Sequence, residues 1–388
     1  MALAGTLNLV LDHPFLKQIK MIRITSLRAH LFLPAIVLLA TGEIAVSNSN
    51  GNSAKAAAAD QVAPAAQAAP SLRFEDVPAP ANNAFKAGAV LQAQVELDRL
   101  GFSPGVIDGR EGKNYAGAIR GFQMARGLPQ TGQLDDATRQ ALDRQPIPAT
   151  RLVRIPARFA AGPFTPNIPK DASAQARLPS LQYRNLAEAL AERFHTTPQT
   201  LKTLNPADAK IGAGAVLRVP NVPDVDEAQF GPDERGWNET LDRLGVAAVQ
   251  PAAAKVVVDK SDGMLRAFDA NDGLIAQYPA TMGSEHDPLP IGEWKIQGVS
   301  RNPEFHYNPK LFWDASAQDK AAVLKPGPNG PVGVVWIDIS KPHYGIHGTS
   351  EPSTIGRAES HGCVRLTNWD AAKLAQMVKP GVPAIFQE

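Results

Sequence analysis

Val256-Val257-Val258-Asp259-Lys260-Ser261-Asp262-Gly263-Met264-Leu265-Arg266-Ala267-Phe268 places a β-branched run and a second apolar run on either side of a polar turn ending in glycine. That is hairpin chemistry: the flanks favour extended backbone, and the Ser-Asp-Gly turn tolerates the left-handed dihedrals a tight reversal needs. Further short runs follow at residues 274–278, 292–299 and 333–340, with turn residues between them. Short strands at this spacing predict a mixed β-sandwich over 253–388. One helix interrupts it. Thr367 caps a run through Met377, Asp370 stands at the capping-box position, and Lys379-Pro380-Gly381 is the stop.

Upstream the period changes from two to three and four. Val90, Ala93, Leu97 and Leu100 form one helical stripe stopped by Gly101; Tyr115, Ala118 or Ile119, and Phe122 form a second ending at Gly127. Asp135 is an N-cap for a third helix carrying Thr138, Ala141 and Leu142. Residues 81–146 therefore read as a small three-helix domain. Prolines recur from Pro146 to Pro179 and predict extended chain. Within that stretch a short strand is expected at Leu152 to Ile155; beyond it the stripe Leu186, Leu190 and Phe194, a second helix through Leu201 and Leu204, and Val216-Leu217-Arg218-Val219-Pro220 complete a strand, helix, helix, strand order within 147–224. Residues 225–252 read as a linker, and the whole as a multidomain α+β chain.

At the N-terminus, Arg23 and Arg28 precede an apolar run from Leu31 to Ala40 and then small polar residues, the pattern of an export signal over 1–45. The run is short for a bilayer, so no stable membrane span is expected after signal removal. Residues 46–80 are Ala-rich and read as a disordered linker, with order beginning near residue 81. Across all 388 residues, 39 basic and 38 acidic side chains leave a net charge of +1, and no Lys/Arg block stands out. Nucleic acid is not an expected partner.

The chain has one cysteine, in Ser360-His361-Gly362-Cys363-Val364-Arg365, and five of its eight histidines fall between His286 and His361. A lone cysteine is most often a small buried hydrophobe. Here a glycine flanks it, a histidine stands two residues before it and an arginine two after, and export would make an unpaired thiol easier to explain by chemistry than by packing. A thiol attacks as the thiolate, so the chain reads as a cysteine acyl-transfer enzyme with Cys363 as nucleophile. Two histidines compete as base: His361 by proximity, and His347 in Tyr344-Gly345-Ile346-His347-Gly348-Thr349. His343 and His347 have the four-residue spacing of a zinc helix, but Pro342, Gly345 and Gly348 oppose a helix there and no Glu follows His343, so no metal is expected.

Several stretches resemble known families. Leu97-Asp98-Arg99-Leu100-Gly101-Phe102, Ile107-Asp108-Gly109, Ile119-Arg120-Gly121-Phe122-Gln123 and Gly127-Leu128-Pro129-Gln130-Thr131-Gly132 resemble the peptidoglycan-binding helical module of wall enzymes. Glu188-Ala189-Leu190-Ala191-Glu192-Arg193-Phe194, Leu204-Asn205-Pro206 and Val219-Pro220-Asn221 look like a divergent LysM module, implying a central βααβ LysM-like segment. Most specific, His347-Gly348-Thr349, Ile355-Gly356, Ser360-His361-Gly362-Cys363-Val364-Arg365-Leu366 and Asn368-Trp369-Asp370 are similar to the signature of the L,D-transpeptidase catalytic domain, with Gly327 to Gly333 matching the segment before it.

That resemblance implies a peptidoglycan L,D-transpeptidase that needs no cofactor and forms a thioester on Cys363. His347 would be the base, oriented by the carbonyl of Gly348; His361 and Gly362 would help Cys363 present backbone N–H groups to the oxyanion. Arg365 would favour the thiolate and bind substrate carboxylate, with Ser360, Tyr344 and Thr349 shaping the pocket. Peptidoglycan stem peptides and glycan strands are the implied partners, carbapenem-type compounds the implied inhibitors, and periplasm or cell wall the implied location. The same site could serve an L,D-carboxypeptidase or a wall-anchoring transferase. Other classes are a non-catalytic peptidoglycan-binding protein and a secreted cysteine peptidase.

Overall fold

Helix α1 (Ala89–Arg99) ends where Gly101 turns left-handed at φ +87°, and α2 (Lys113–Ala125) and α3 (Asp136–Leu142) follow, the last capped by the Asp135 carboxylate accepting from Thr138 N–H. The computed structural model describes residues 72–80, 85–143 and 147–388; the export segment 1–45 and the linker residues 46–71 lie outside them. The apolar stripes of α1 and α2 meet through Leu97, Ile119 and Phe122, as their spacing requires.

Residues 72–80 behave differently from the linker expected of 46–80. Leu72 and Phe74 are buried beside Phe159 and Phe194, and β1 (Glu75–Asp76) pairs antiparallel with β2 (Thr150–Arg154). The two large apolar side chains supply the burial that the Ala-rich stretch before them cannot. β2 in turn pairs with β3 (Val216–Pro220), closing a three-stranded sheet. Between them run four helices, α4 (Ala157–Ala160), α5 (Ala172–Gln175), α6 (Leu186–Arg193) and α7 (Pro198–Leu204). Asn185 and Thr197 cap the last two. After α8 (Trp237–Leu244) the chain enters its β-rich part.

The hairpin of the opening stretch forms as β4 (Lys255–Asp259) and β5 (Met264–Phe268), and β6 (Leu274–Pro279) continues the meander. The remaining strands are β7 (Thr281–Met282), β8 (Gly292–Arg301), β9 (Phe305–Tyr307), β10 (Ala322–Leu324), β11 (Val335–Ile339), β12 (Gly345–His347), β13 (Val364–Arg365) and β14 (Pro383–Gln387). Nine of them make one mixed sheet in the order β6-β5-β4-β14-β8-β11-β12-β13-β7, while β9 and β10 form a separate hairpin. Its two end strands are consecutive in sequence with only Ala280 between them, so the sheet must curl until its ends meet. Helix α9 (Asn368–Met377), capped by Thr367 accepting from Asp370 N–H, packs its Trp369 into the resulting core.

All described residues belong to one compact unit. A buried polar cluster binds its parts. Asp98 of α1 accepts from Lys373 of α9 at 2.7 Å and pairs with His195 at 2.8 Å, Ser103 donates to Asp370 at 2.7 Å, and His195 stacks on Trp369 with centroids 5.0 Å apart. Burial alone would raise the Asp98 carboxyl, but His195 and Lys373 beside it win and hold it below the ordinary range. No helix among the described residues is long and apolar enough to cross a membrane.

Candidate active site

Strand register assembles the site. β12 pairs with β13 in parallel, His347 opposite Arg365, and with β11 antiparallel, His347 opposite Trp336. Side chains alternate along extended chain, so Cys363 and Arg365 share a face and His347 stands beside them. Trp336 stacks on the His347 ring, centroids 5.7 Å apart and planes 20° from parallel. Cys363, His347, Arg365, His361 and Tyr344 all line one open cavity of about 430 Å³. Its remaining wall includes Asp287, Phe312 and Trp336.

His347 is buried, and its Nδ1 meets the Gly348 carbonyl at 2.7 Å. That carbonyl can only accept, so Nδ1 carries the proton and Nε2 keeps its lone pair. Burial, and then the Arg365 charge, bring the imidazole down to about 4, so it is neutral at pH 7. The Cys363 thiol is half-buried, its sulfur 3.9 Å from the His343 carbonyl. Burial pushes the thiol up; the Gly345 N–H and Arg365 pull it down but are outweighed. The Arg365 charge thus acts toward the thiolate, as expected of it, but burial outweighs it. The resting pair is thiol and neutral imidazole.

Gly362 sits at φ +87°, and a Cβ built there would come within 2.5 Å of Tyr344 Cε1. Among the described residues nothing accepts from the N–H groups of His361, Gly362 or Cys363. Ser360 Oγ accepts from Gly283 N–H and donates to the Cys363 carbonyl, both at 2.7 Å, and so braces the loop rather than facing substrate. Thr349 Oγ1 accepts from Glu351 N–H at 3.2 Å, likewise a turn contact. The His361 ring faces away from a base's position: its Nε2 meets Asp314 at 3.0 Å and it packs edge-on against Phe312. His286 stacks on Trp313 of the same segment, and His306 lines the cavity. His343 lies in a turn at φ +69°, not on a helix.

Gly362→Ala is expected to lower reactivity of the site about tenfold, because a left-handed alanine costs about 1–2 kcal/mol and must also displace the Tyr344 ring. A rate of covalent labelling equal to wild type would contradict the tight fit.

Trp336 lines the cavity and Asn368 lies against the Gly348 backbone, and the sequence alone singled out neither as a site residue. The alternation of Val335–Ile339 could have flagged Trp336 as sharing a face with its cross-strand partners, and Asn368 stands inside the quoted Asn-Trp-Asp.

Residues 253–385 match the family model described as the L,D-transpeptidase catalytic domain. That segment is an L,D-transpeptidase catalytic domain. Residues 86–142 match the model described as "Putative peptidoglycan binding domain", so the L,D-transpeptidase domain is joined to a peptidoglycan-binding one. The protein named "Putative L,D-transpeptidase YkuD" of Bacillus licheniformis is 29% identical over 50% of this chain and 88% of its own length. Its namesake in Bacillus subtilis is 34% identical over 29% of this chain and 52% of its own, so the chain spans about half of that relative. L,D-transpeptidase 3 of Mycobacterium tuberculosis, solved with a faropenem-derived adduct, aligns at 19% identity and TM-score 0.28 over 46% of this chain and 76% of its own.

Proposed function

We propose that the chain is an exported, wall-located peptidoglycan L,D-transpeptidase working through a cysteine thioester. The observation carrying this reading is that Cys363 and a neutral, Nε2-open His347 line the same accessible cavity beside unbonded backbone N–H groups. Cys363 Sγ attacks the carbonyl of the third stem residue while its proton passes to His347 Nε2, and the N–H groups of 361–363 hold the oxyanion. Collapse breaks the bond to D-Ala, whose amine takes the proton back from His347. The thioester is then attacked by the side-chain amine of a neighbouring stem, which regenerates the thiol and leaves a new amide. Arg365, reaching the cavity from the partner strand position of His347, suits a substrate carboxylate. The helical domain over 86–142 and the central segment are read as contacts to glycan strands, the latter as a divergent LysM module.

Incubating the full chain with sacculi rich in tetrapeptide stems, followed by muropeptide mass analysis, tests this. New dimers weighing the two stems less one free D-Ala are expected. Tripeptide stems without dimers would mean that water is the acceptor, and neither product would remove the reading.

A further inference from the structure

The Gly348 backbone, whose carbonyl orients His347, is packed against a second side chain at its Cα. A Cβ on Gly348 would approach Asn368 Oδ1 to 2.2 Å, and one on Gly333 to 2.0 Å, so the Asn368 carboxamide lies directly against both backbones. Gly333 also takes a left-handed φ of +59°. Asn368 Oδ1 accepts from Val334 N–H at 3.3 Å. Its NH₂ faces the other way, donating to Glu192 Oε1 and Oε2 at 3.2 and 3.0 Å and to the Pro328 carbonyl at 3.1 Å. Rotating the amide by half a turn would set donor against donor at Val334, so these partners fix its orientation.

Glu192 does not come from the catalytic domain. It sits on α6, is buried, and also accepts from Tyr183 O–H at 3.1 Å. Burial pushes its carboxyl up to about 8; among the groups facing it, Asn368 and Tyr183 pull down and Glu188 adds slightly to the rise. A buried carboxyl without a cation is costly to keep. Around it, the segment from Leu181 clamps the loop leading to Gly333. Leu181 N–H donates to the Pro326 carbonyl at 3.0 Å, Asn329 N–H to the Leu181 carbonyl at 2.9 Å, and Asn329 Nδ2 to the Gln182 carbonyl at 2.9 Å. That loop continues into Pro331 and Val332, which line the cavity.

We propose that Glu192 is a positioning residue for His347, acting through Asn368 and the Gly333–Gly348 backbone contact, so that the central segment is part of the catalytic apparatus and not only a tether. The proposal rests on the reading of His347 as proton acceptor. Glu192→Gln keeps an acceptor oxygen for Asn368 and, being neutral, mimics the carboxyl at pH 7; Glu192→Ala removes the acceptor.

The test uses the full chain labelled with ¹⁵N-histidine, the His347 Nδ1–H signal being assigned by its loss in His347→Gln. Exchange of that proton with water is expected to be unchanged in Glu192→Gln and at least about tenfold faster in Glu192→Ala and Asn368→Ala. In parallel, acylation of Cys363 by a carbapenem is expected to stay within about twofold in Glu192→Gln and to fall at least about tenfold in Glu192→Ala, with the double variant no slower than Asn368→Ala alone. Glu192→Met replaces the alanine variant if thermal melting shows that variant unfolded. Wild-type exchange and acylation in a folded Glu192→Ala or Glu192→Met would overturn the proposal, as would a Glu192→Gln as impaired as the alanine. A wild-type chain that no carbapenem acylates would sink the functional reading instead, and the exchange rates would still decide the positioning role.

Discussion

Cys363→Ala is expected to leave the chain folded and to abolish the covalent adduct that the wild-type chain forms with a carbapenem, read as a mass increase of the intact protein. The loss should be at least about 10³-fold, because Cys363 carries the single thiol of the chain, and the imidazole and phenol groups that share the cavity are weaker nucleophiles toward a strained amide. Folding should survive because the half-buried sulfur meets only weak backbone partners, the Gly345 N–H and, at 3.9 Å, the His343 carbonyl, among the described residues. A simple alkylating agent separates two ideas of the thiol. With burial holding it protonated, iodoacetamide should react slowly at pH 7 and faster as pH rises past the usual cysteine range, whereas a carbapenem held in the cavity can hand the proton to His347 as it is attacked. Adduct formation persisting in Cys363→Ala would place the nucleophile elsewhere and end the acyl-transfer reading.

The hairpin at 255–268 was legible because a two-residue period and a Ser-Asp-Gly turn are local properties, and the cap at Thr367 likewise. What escaped are relations between residues far apart in sequence. Leu72 and Phe74 look like the end of a linker until Phe159 and Phe194 are placed beside them. His361, a rival to His347 as base by proximity alone, has its ring engaged by Asp314 and Phe312, neither of which is near it in sequence. The sign of the Cys363 shift depended on how much wall surrounds the sulfur, and no spacing rule counts that. The brace from Glu192 to Asn368 spans 176 residues and leaves no periodic trace.

These long connections bear on what the appended modules do. Asn114 of α2 donates to the Ile355 carbonyl at 3.0 Å, and a Cβ on Gly356 would strike its side chain, so the helical domain holds the loop ahead of Ser360. The central segment holds the loop ahead of Gly333. Each module that reads as a wall-binding unit is thus also seated against one of the two loops flanking the cavity.

His347→Ala is expected to slow carbapenem acylation by about 10²–10⁴-fold, the range general-base removal commonly gives. The pH profile makes the assignment sharper. Because burial and Arg365 bring the imidazole to about 4, the base is already neutral throughout the ordinary range. Protonation occupies the Nε2 lone pair, so the wild-type rate should hold level from pH 7 down to about pH 5 and fall about tenfold per unit only below pH 4, measured by brief pH jumps. An unperturbed histidine would instead place that fall near 6.5. The limb near 4 should vanish in His347→Ala, while His361→Ala should keep it and change the plateau by less than about tenfold, since that ring is engaged by Asp314. Turnover retained without His347 and lost without His361 would show that proximity in sequence, and not the Gly348 hydrogen bond, had chosen the base.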